Sequence, residues 1–174
     1  MKAIFPVAIV FAVVLAYPAY AQTPYFQQRV DYTIRVRLDD SQHRLNGTVE
    51  MVYHNRSPHV LQEVYMHLWP NAYKNRRTAF CRQQLAKGDG SFYFAPDSSL
   101  GRITNLDFRI DGTPVPITDK THADYTRLAL PRPLAPGDSI RIQTPFEVRV
   151  PASFSRLGHV GTSYQMTQWY PKPA

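Results

Sequence analysis

Residues 30–39 read Val30-Asp31-Tyr32-Thr33-Ile34-Arg35-Val36-Arg37-Leu38-Asp39. Apolar and polar side chains alternate without a break. Successive side chains of an extended chain point to opposite faces, so this run builds a strand with one buried and one wet face. The turn Asp39-Asp40-Ser41-Gln42 follows. A second alternating run, Leu45, Gly47, Val49, Met51 and Tyr53, then returns beside the first as an antiparallel partner. Gly47 has no side chain to pack, which marks a bulge or a close neighbour.

The same pattern recurs further along. Residues 61–69 make a third strand, with Val64, Met66 and Leu68 on one face and Tyr65, His67 and Trp69 on the other. Bulky groups on both faces place it inside a sheet, and Pro70-Asn71 ends it. Residues 75–85 are the one helical pattern, with Thr78 as its cap and Phe80, Cys81 and Leu85 as a short apolar face. Phe92-Tyr93-Phe94 reads as a plug over the edge of the core. Residues 103–110 return to strand, Asp111-Gly112 signals a hairpin, and Val115 and Ile117 begin the return. Residues 125–130 form a short strand. Turn chemistry follows over residues 131–138, with Pro136-Gly137 at the centre of a type II turn. Ile140, Ile142, Thr144, Phe146, Val148 and Val150 alternate again until Pro151. Most of the 15 prolines fall outside these runs. About eight strands and one helix predict a mainly β protein: an antiparallel β-sandwich, or saddle-shaped sheets, with one short helix.

Residues 1–21 are a separate object. A positive start, an apolar run over residues 4–15 and Ala19-Tyr20-Ala21 describe a signal peptide cut before Gln22. The run is too short for a transmembrane helix. The expected product, residues 22–174, is one exported domain, periplasmic or extracellular, with no membrane span. Cys81 is the only cysteine and reads as a small buried hydrophobe, so no intrachain disulfide forms. The formal net charge is +7. The densest basic patch, Lys74, Arg76, Arg77, Arg82 and Lys87, lies beside the helix without any nucleic-acid-binding motif, so no nucleic-acid partner is expected.

Catalytic signals are missing from the sequence. The six histidines form no H-E-x-x-H, and there is no G-x-S-x-G, P-loop or dinucleotide fingerprint. His67 has no second ligand type at metal-binding spacing and reads as a hydrogen-bonded, partly buried side chain. The expected catalytic and metal-ligating sets of this chain are therefore empty. The last stretch is the densest in polar and aromatic residues. Tyr164, Met166 and Gln168 would share one face and Ser163, Gln165 and Thr167 the other. Trp169-Tyr170-Pro171-Lys172-Pro173 then stops the strand. Two readings stay open for it, a hinge into a further domain or a last edge strand with a tail.

Three runs carry a resemblance: residues 67–73 (HLWPNAY), residues 151–158 (PASFSRLG) and residues 164–173 (YQMTQWYPKP). With the strand order, they resemble the N-terminal domain of aminopeptidase-N-type zinc metallopeptidases. This is the gluzincin family that includes leukotriene hydrolase, and the similarity is greatest to secreted members of Bacteroidetes type. The resemblance implies a saddle of β-sheet lying against a thermolysin-like catalytic domain, here missing, that holds the zinc and the H-E-x-x-H and G-x-M-E-N motifs. It makes this chain a fragment that ends before that domain, inactive alone and holding no cofactor itself. The implied partners are the catalytic domain of the same polypeptide and a peptide substrate. It also implies a Gln-x-Gln or Gln-x-Glu segment reaching into the cleft, its second polar residue holding the substrate's free amine. Gln165 matches; Thr167 departs from it with a neutral hydroxyl, which supplies no charge. The competing expectations are ordinary polar residues at Gln165 and Thr167, and a free-standing secreted β-sandwich that binds glycan or protein through Tyr65, Trp69 and Trp169.

Overall fold

The computed structural model describes residues 25–118 and 121–174; the signal-peptide reading of residues 1–21 lies outside them. The first two alternating runs form β1 (Arg29–Asp39) and β2 (Arg44–His54), paired antiparallel over their whole lengths. Strand β3 (Leu61–His67) stops one residue before Leu68, and Trp69–Tyr73 winds into a 3-10 helix started by Pro70. The helix α1 (Ala79–Ala86) is capped by Thr78, whose hydroxyl accepts from the Cys81 amide at 3.3 Å. Among the described residues no helix is long and apolar enough to cross a membrane.

The expected strand over residues 103–110 is broken into β4 (Arg102–Thr104) and β5 (Arg109–Ile110). Asn105, at φ 60°, diverts the chain between them, a conformation Asn tolerates better than most residues. The hairpin at Asp111-Gly112 forms, both residues having positive φ. Its return strand β6 is only Thr113–Pro114, because Pro114 and Pro116 lack the N–H a ladder needs. Strand β7 (Tyr125–Leu134) instead runs through Pro131 and Pro133, which the sequence placed in a turn. The register against β3 shifts between Leu61 and Glu63, so the prolines fall in an irregular stretch where no ladder bond is asked of them. Strand β8 (Ser139–Arg149) pairs with β2 on one side and with β4 and β5 on the other.

Two main sheets result, one of six strands in the order β1-β2-β8-β5-β6 with β4 also on β8, and one of three strands, beside a separate two-stranded hairpin near the C-terminus. One core joins their facing sides: Val49, Met51, Ile142 and Phe146 from the larger sheet meet Val64, Met66 and Leu128 from the smaller. Each such fully buried side chain contributes about 1.5–3 kcal/mol. The end of the sandwich near α1 is closed by rings, Phe92 packing edge-on against Phe80 and Phe154. Phe92 is buried, whereas Phe94 is 80% exposed, so only the first ring of the trio is a plug. The inner side of β1 is incompletely covered, leaving Val36 and Leu38 exposed.

Asn55 fixes the turn after β2. Its side chain is fully buried and uses its whole hydrogen-bonding capacity: Nδ2 donates to the carbonyls of His59 and Leu134, and Oδ1 accepts from the Ser57 amide and hydroxyl. Its backbone is tied to Asp138 and Gly137. Asn55 thereby joins the end of β2 to the turn between β7 and β8. Replacing it by Ala orphans these buried groups, and Asn55→Ala should cost about 3 kcal/mol. Urea unfolding measures this; a loss below about 1 kcal/mol would contradict the assignment.

Candidate functional site

The polar and aromatic residues near the C-terminus assemble around a hairpin. Strands β9 (Leu157–Val160) and β10 (Ser163–Met166) pair through a two-residue turn with Gly161 at φ 55°. Gly158 lets the hairpin approach the preceding loop: a Cβ there would stand 2.6 Å from the Ser153 Cα. The His159 amide donates to the Pro151 carbonyl at 3.0 Å. These contacts bind residues 151–158 to the hairpin.

The side chains of the hairpin hold it to the β1–β2 turn. His159 stacks on His43 with ring centroids 3.5 Å apart. The Tyr164 hydroxyl donates to the Asp40 carbonyl at 3.3 Å and lies 2.8 Å from His43 Nδ1. With the hydroxyl proton so placed, Nδ1 of His43 is the donor in that contact. Burial, then the neighbouring His43, holds the His159 imidazole below its ordinary range, against the opposing Gly161 carbonyl.

The alternation expected over residues 163–168 survives only to Met166. Tyr164 and Met166 turn inward and Ser163 and Gln165 outward. Gln168 then takes φ 56° and ends the extended run. Gln165 is exposed on the hairpin, with no hydrogen-bond partner among the described residues. Thr167 is half-buried, and its hydroxyl donates to the Arg156 carbonyl at 2.7 Å. Its proton is thus committed, and its oxygen can still accept. Thr167 and Gln168 line a cleft of about 520 Å³ with Trp69, Phe80, Lys87 and Arg156. Gln165 is not part of that lining.

Beyond Gln168 the chain does not trail off. Trp169 packs on Phe146 of the core, and Tyr170 meets Tyr32 edge-on with centroids 5.6 Å apart. Burial and the nearby Tyr170 push the Tyr32 hydroxyl up to about 12. Strand β11 (Lys172–Pro173) then adds to β3 opposite His67 and Met66, and the Ala174 amide donates to the Tyr65 carbonyl. The prolines that end one strand thus begin an edge strand in another sheet, where a missing N–H is tolerated. No local pattern of residues marks this pairing. His67 stacks on Trp69, and burial, then the nearby Lys172, lowers its imidazole below its ordinary range against the opposing Asp124. Among the described residues no cluster of His, Cys, Asp or Glu could hold a metal.

No protein-family model and no curated protein matches the sequence. Among solved structures, the fold is similar to an M1 zinc metallopeptidase variant from Deinococcus radiodurans. The identity is 16% and the TM-score 0.42, over 71% of this chain and 21% of that one. A form of the Deinococcus radiodurans enzyme bound to a Tyr-Ser-Ala substrate is similar at 15% identity and TM-score 0.45, over 76% and 25% of the two chains. The chain therefore spans about a quarter or less of the length of these structures.

His159 and His67 share one pH consequence. Both are depressed below the unfolded value of about 6.5, so the unfolded chain binds protons first. Their contribution to stability is complete above that value and is lost as pH falls through the lower folded values. The thermal midpoint should fall between pH 7.5 and 5, and His159→Phe, which keeps the ring and removes the titration, should flatten part of that fall. An unchanged pH profile in this variant would refute the role of His159.

Proposed function

We propose that this chain is the non-catalytic N-terminal β domain of an exported zinc-dependent metallopeptidase. In this reading it packs on a catalytic domain of the same polypeptide and walls part of the peptide-binding cleft. The observation that carries it is the meeting of the three runs behind the sequence resemblance. Residues 67–73 lie far along the chain from 151–158 and 164–173, which adjoin through the β9–β10 hairpin. In the fold, β11 lies on β3, Thr167 is bonded to Arg156, and Trp69, Arg156 and Thr167 line one cleft. The uncovered apolar side of β1, with Val36 and Leu38, supports the same reading, since such a strip suits burial against another domain.

In this proposal Gln165 and Thr167 face the substrate. Thr167 offers a lone pair to an ammonium group while its own proton donates to the Arg156 carbonyl, so it is a weaker partner for a free amine than a carboxylate. Zinc belongs to the catalytic domain, where it would polarise the scissile carbonyl and activate water. The alternative, a free-standing binding module, needs Tyr65, Trp69 and Trp169 as one exposed platform. Trp169 is instead packed on Phe146 and Tyr170, which disfavours it.

Reading the coding frame past Ala174 tests the proposal first. An open frame reaching G-x-M-E-N and H-E-x-x-H supports it, and an immediate stop overturns it. In the longer protein, Gln165→Ala should lower kcat/KM for a free-amine peptide by about tenfold, the scale of one hydrogen bond to a charged group. Unchanged kinetics would remove Gln165 from the cleft.

A further inference from the structure

The outer face of the six-stranded sheet is rich in cations, and all of those its strands project are arginines. Three of them are matched away from the rest: Arg29 pairs with Asp31, Arg109 with Asp107 and Arg141 with Glu50. The remaining five form one patch. Arg102, Arg149 and Arg44 lie in a row across β4, β8 and β2, each directly opposite the next in register. Arg37 and Arg35 follow on β1, beside Asn46 and Thr48 of β2. Directly opposed like charges on adjacent strands are destabilising, and a row of three is an arrangement that folding alone does not favour.

Little within the chain neutralises this patch. Glu147 pairs with Arg44 at 3.1 Å. Asp39 is the other carboxylate on this part of the face; it accepts from the Ser41 amide and hydroxyl and from the Gln42 amide, and Arg37 acts on it only through space, without an ion pair. Arg149 donates to a neutral carbonyl, that of Ser98. Arg35, Arg37 and Arg102 are exposed and make no ion pair among the described residues. Five guanidinium groups against two carboxylates leave an excess of three positive charges on a broad sheet face.

We propose that this patch docks a linear anionic polysaccharide carrying carboxylate or sulfate groups. Charge complementarity selects a polyanion, and the guanidinium fork suits oxyanions that offer two oxygens to one bidentate contact, as carboxylate and sulfate both do. The strand positions of the patch project no aromatic ring on this face, so it lacks the row of stacking platforms that single-stranded nucleic acid uses. It also has no apolar side chain to insert into a bilayer, unlike membrane-surface elements. A row of guanidinium groups at the strand spacing of about 4.8 Å suits repeated anions along an extended polymer. The patch lies on the side of the sheet away from the core, and its binding test does not depend on the peptidase proposal.

The test compares two charge-matched variants of the full chain by titration with heparin and with polygalacturonate at physiological salt. Arg35→Gln, Arg37→Gln and Arg102→Gln together should weaken binding by about tenfold and flatten its salt dependence. The control, with Arg56→Gln, Arg77→Gln and Arg127→Gln, removes the same charge elsewhere and should change binding less than about threefold. Equal weakening in both would reduce the effect to net charge and overturn the proposal. Tighter binding to duplex DNA or to anionic phospholipid vesicles than to either polysaccharide would overturn it as well. Glu147→Gln, which removes one carboxylate from the patch, supplies a gain-of-binding arm. It should tighten polysaccharide binding, and failure to do so would count against the site even if the triple variant folds poorly.

Discussion

The ring of Phe146 lies over Gly47, and much of the structure depends on that contact. A Cβ on Gly47 would stand 2.8 Å from Phe146 Cζ and 2.5 Å from the Arg35 carbonyl, so no other residue fits without moving backbone. The contact occurs in the middle of β2, where Gly47 is opposite both Val36 and Phe146. The ladder on either side is unshifted, so the glycine serves close approach rather than a bulge. Trp169 then rests on Phe146 and Tyr170 on Tyr32, which brings the chain to the place where β11 joins β3. A missing side chain in β2 thus sets where the C-terminal segment runs.

The fold is also held by polar groups that the hydrophobic pattern does not reveal. Asn55 secures the turn after β2 to the carbonyl of Leu134, and the Asn71 side chain accepts from the Ile103 amide at 3.0 Å. The Thr144 hydroxyl accepts from the Asp107 amide, supporting the loop between β4 and β5. Each satisfies backbone groups where strands break or end, so irregular chain can be buried without orphaned donors. The two faces of the larger sheet have different chemistry as a result. Its inner side is core except along β1, where Val36 and Leu38 stay exposed, whereas its outer side is an arginine surface only partly balanced by carboxylates.

Much of this was legible in the residues. The β1–β2 pair, the Thr78 cap, the Asp111-Gly112 hairpin and the type II turn at Pro136-Gly137 all follow from local rules. The Asp138 amide does donate to the Ala135 carbonyl, with Gly137 at φ 86°. The sequence misled where one local rule met a long-range partner. Pro131 and Pro133 read as a turn, yet β3 holds them in β7 through an irregular register. Residues 103–110 read as one strand, yet β8 pairs with both ends and Asn105 diverts the middle. At the candidate site, alternation placed Gln165 and Thr167 on one face. The left-handed backbone at Gln168 and the bond from Thr167 to Arg156 ended that pattern.

By itself, the sequence determined the class of the protein, because side-chain alternation and turn chemistry are properties of neighbouring residues. It determined which residues could be polar contacts and that no catalytic motif lies in the chain. Only the tertiary structure decided that the C-terminal residues return to β3, that His43 and His159 stack, and that five arginines share one patch. These are relations between positions many residues apart. Their distances are set by strand register and core packing, which no local pattern encodes.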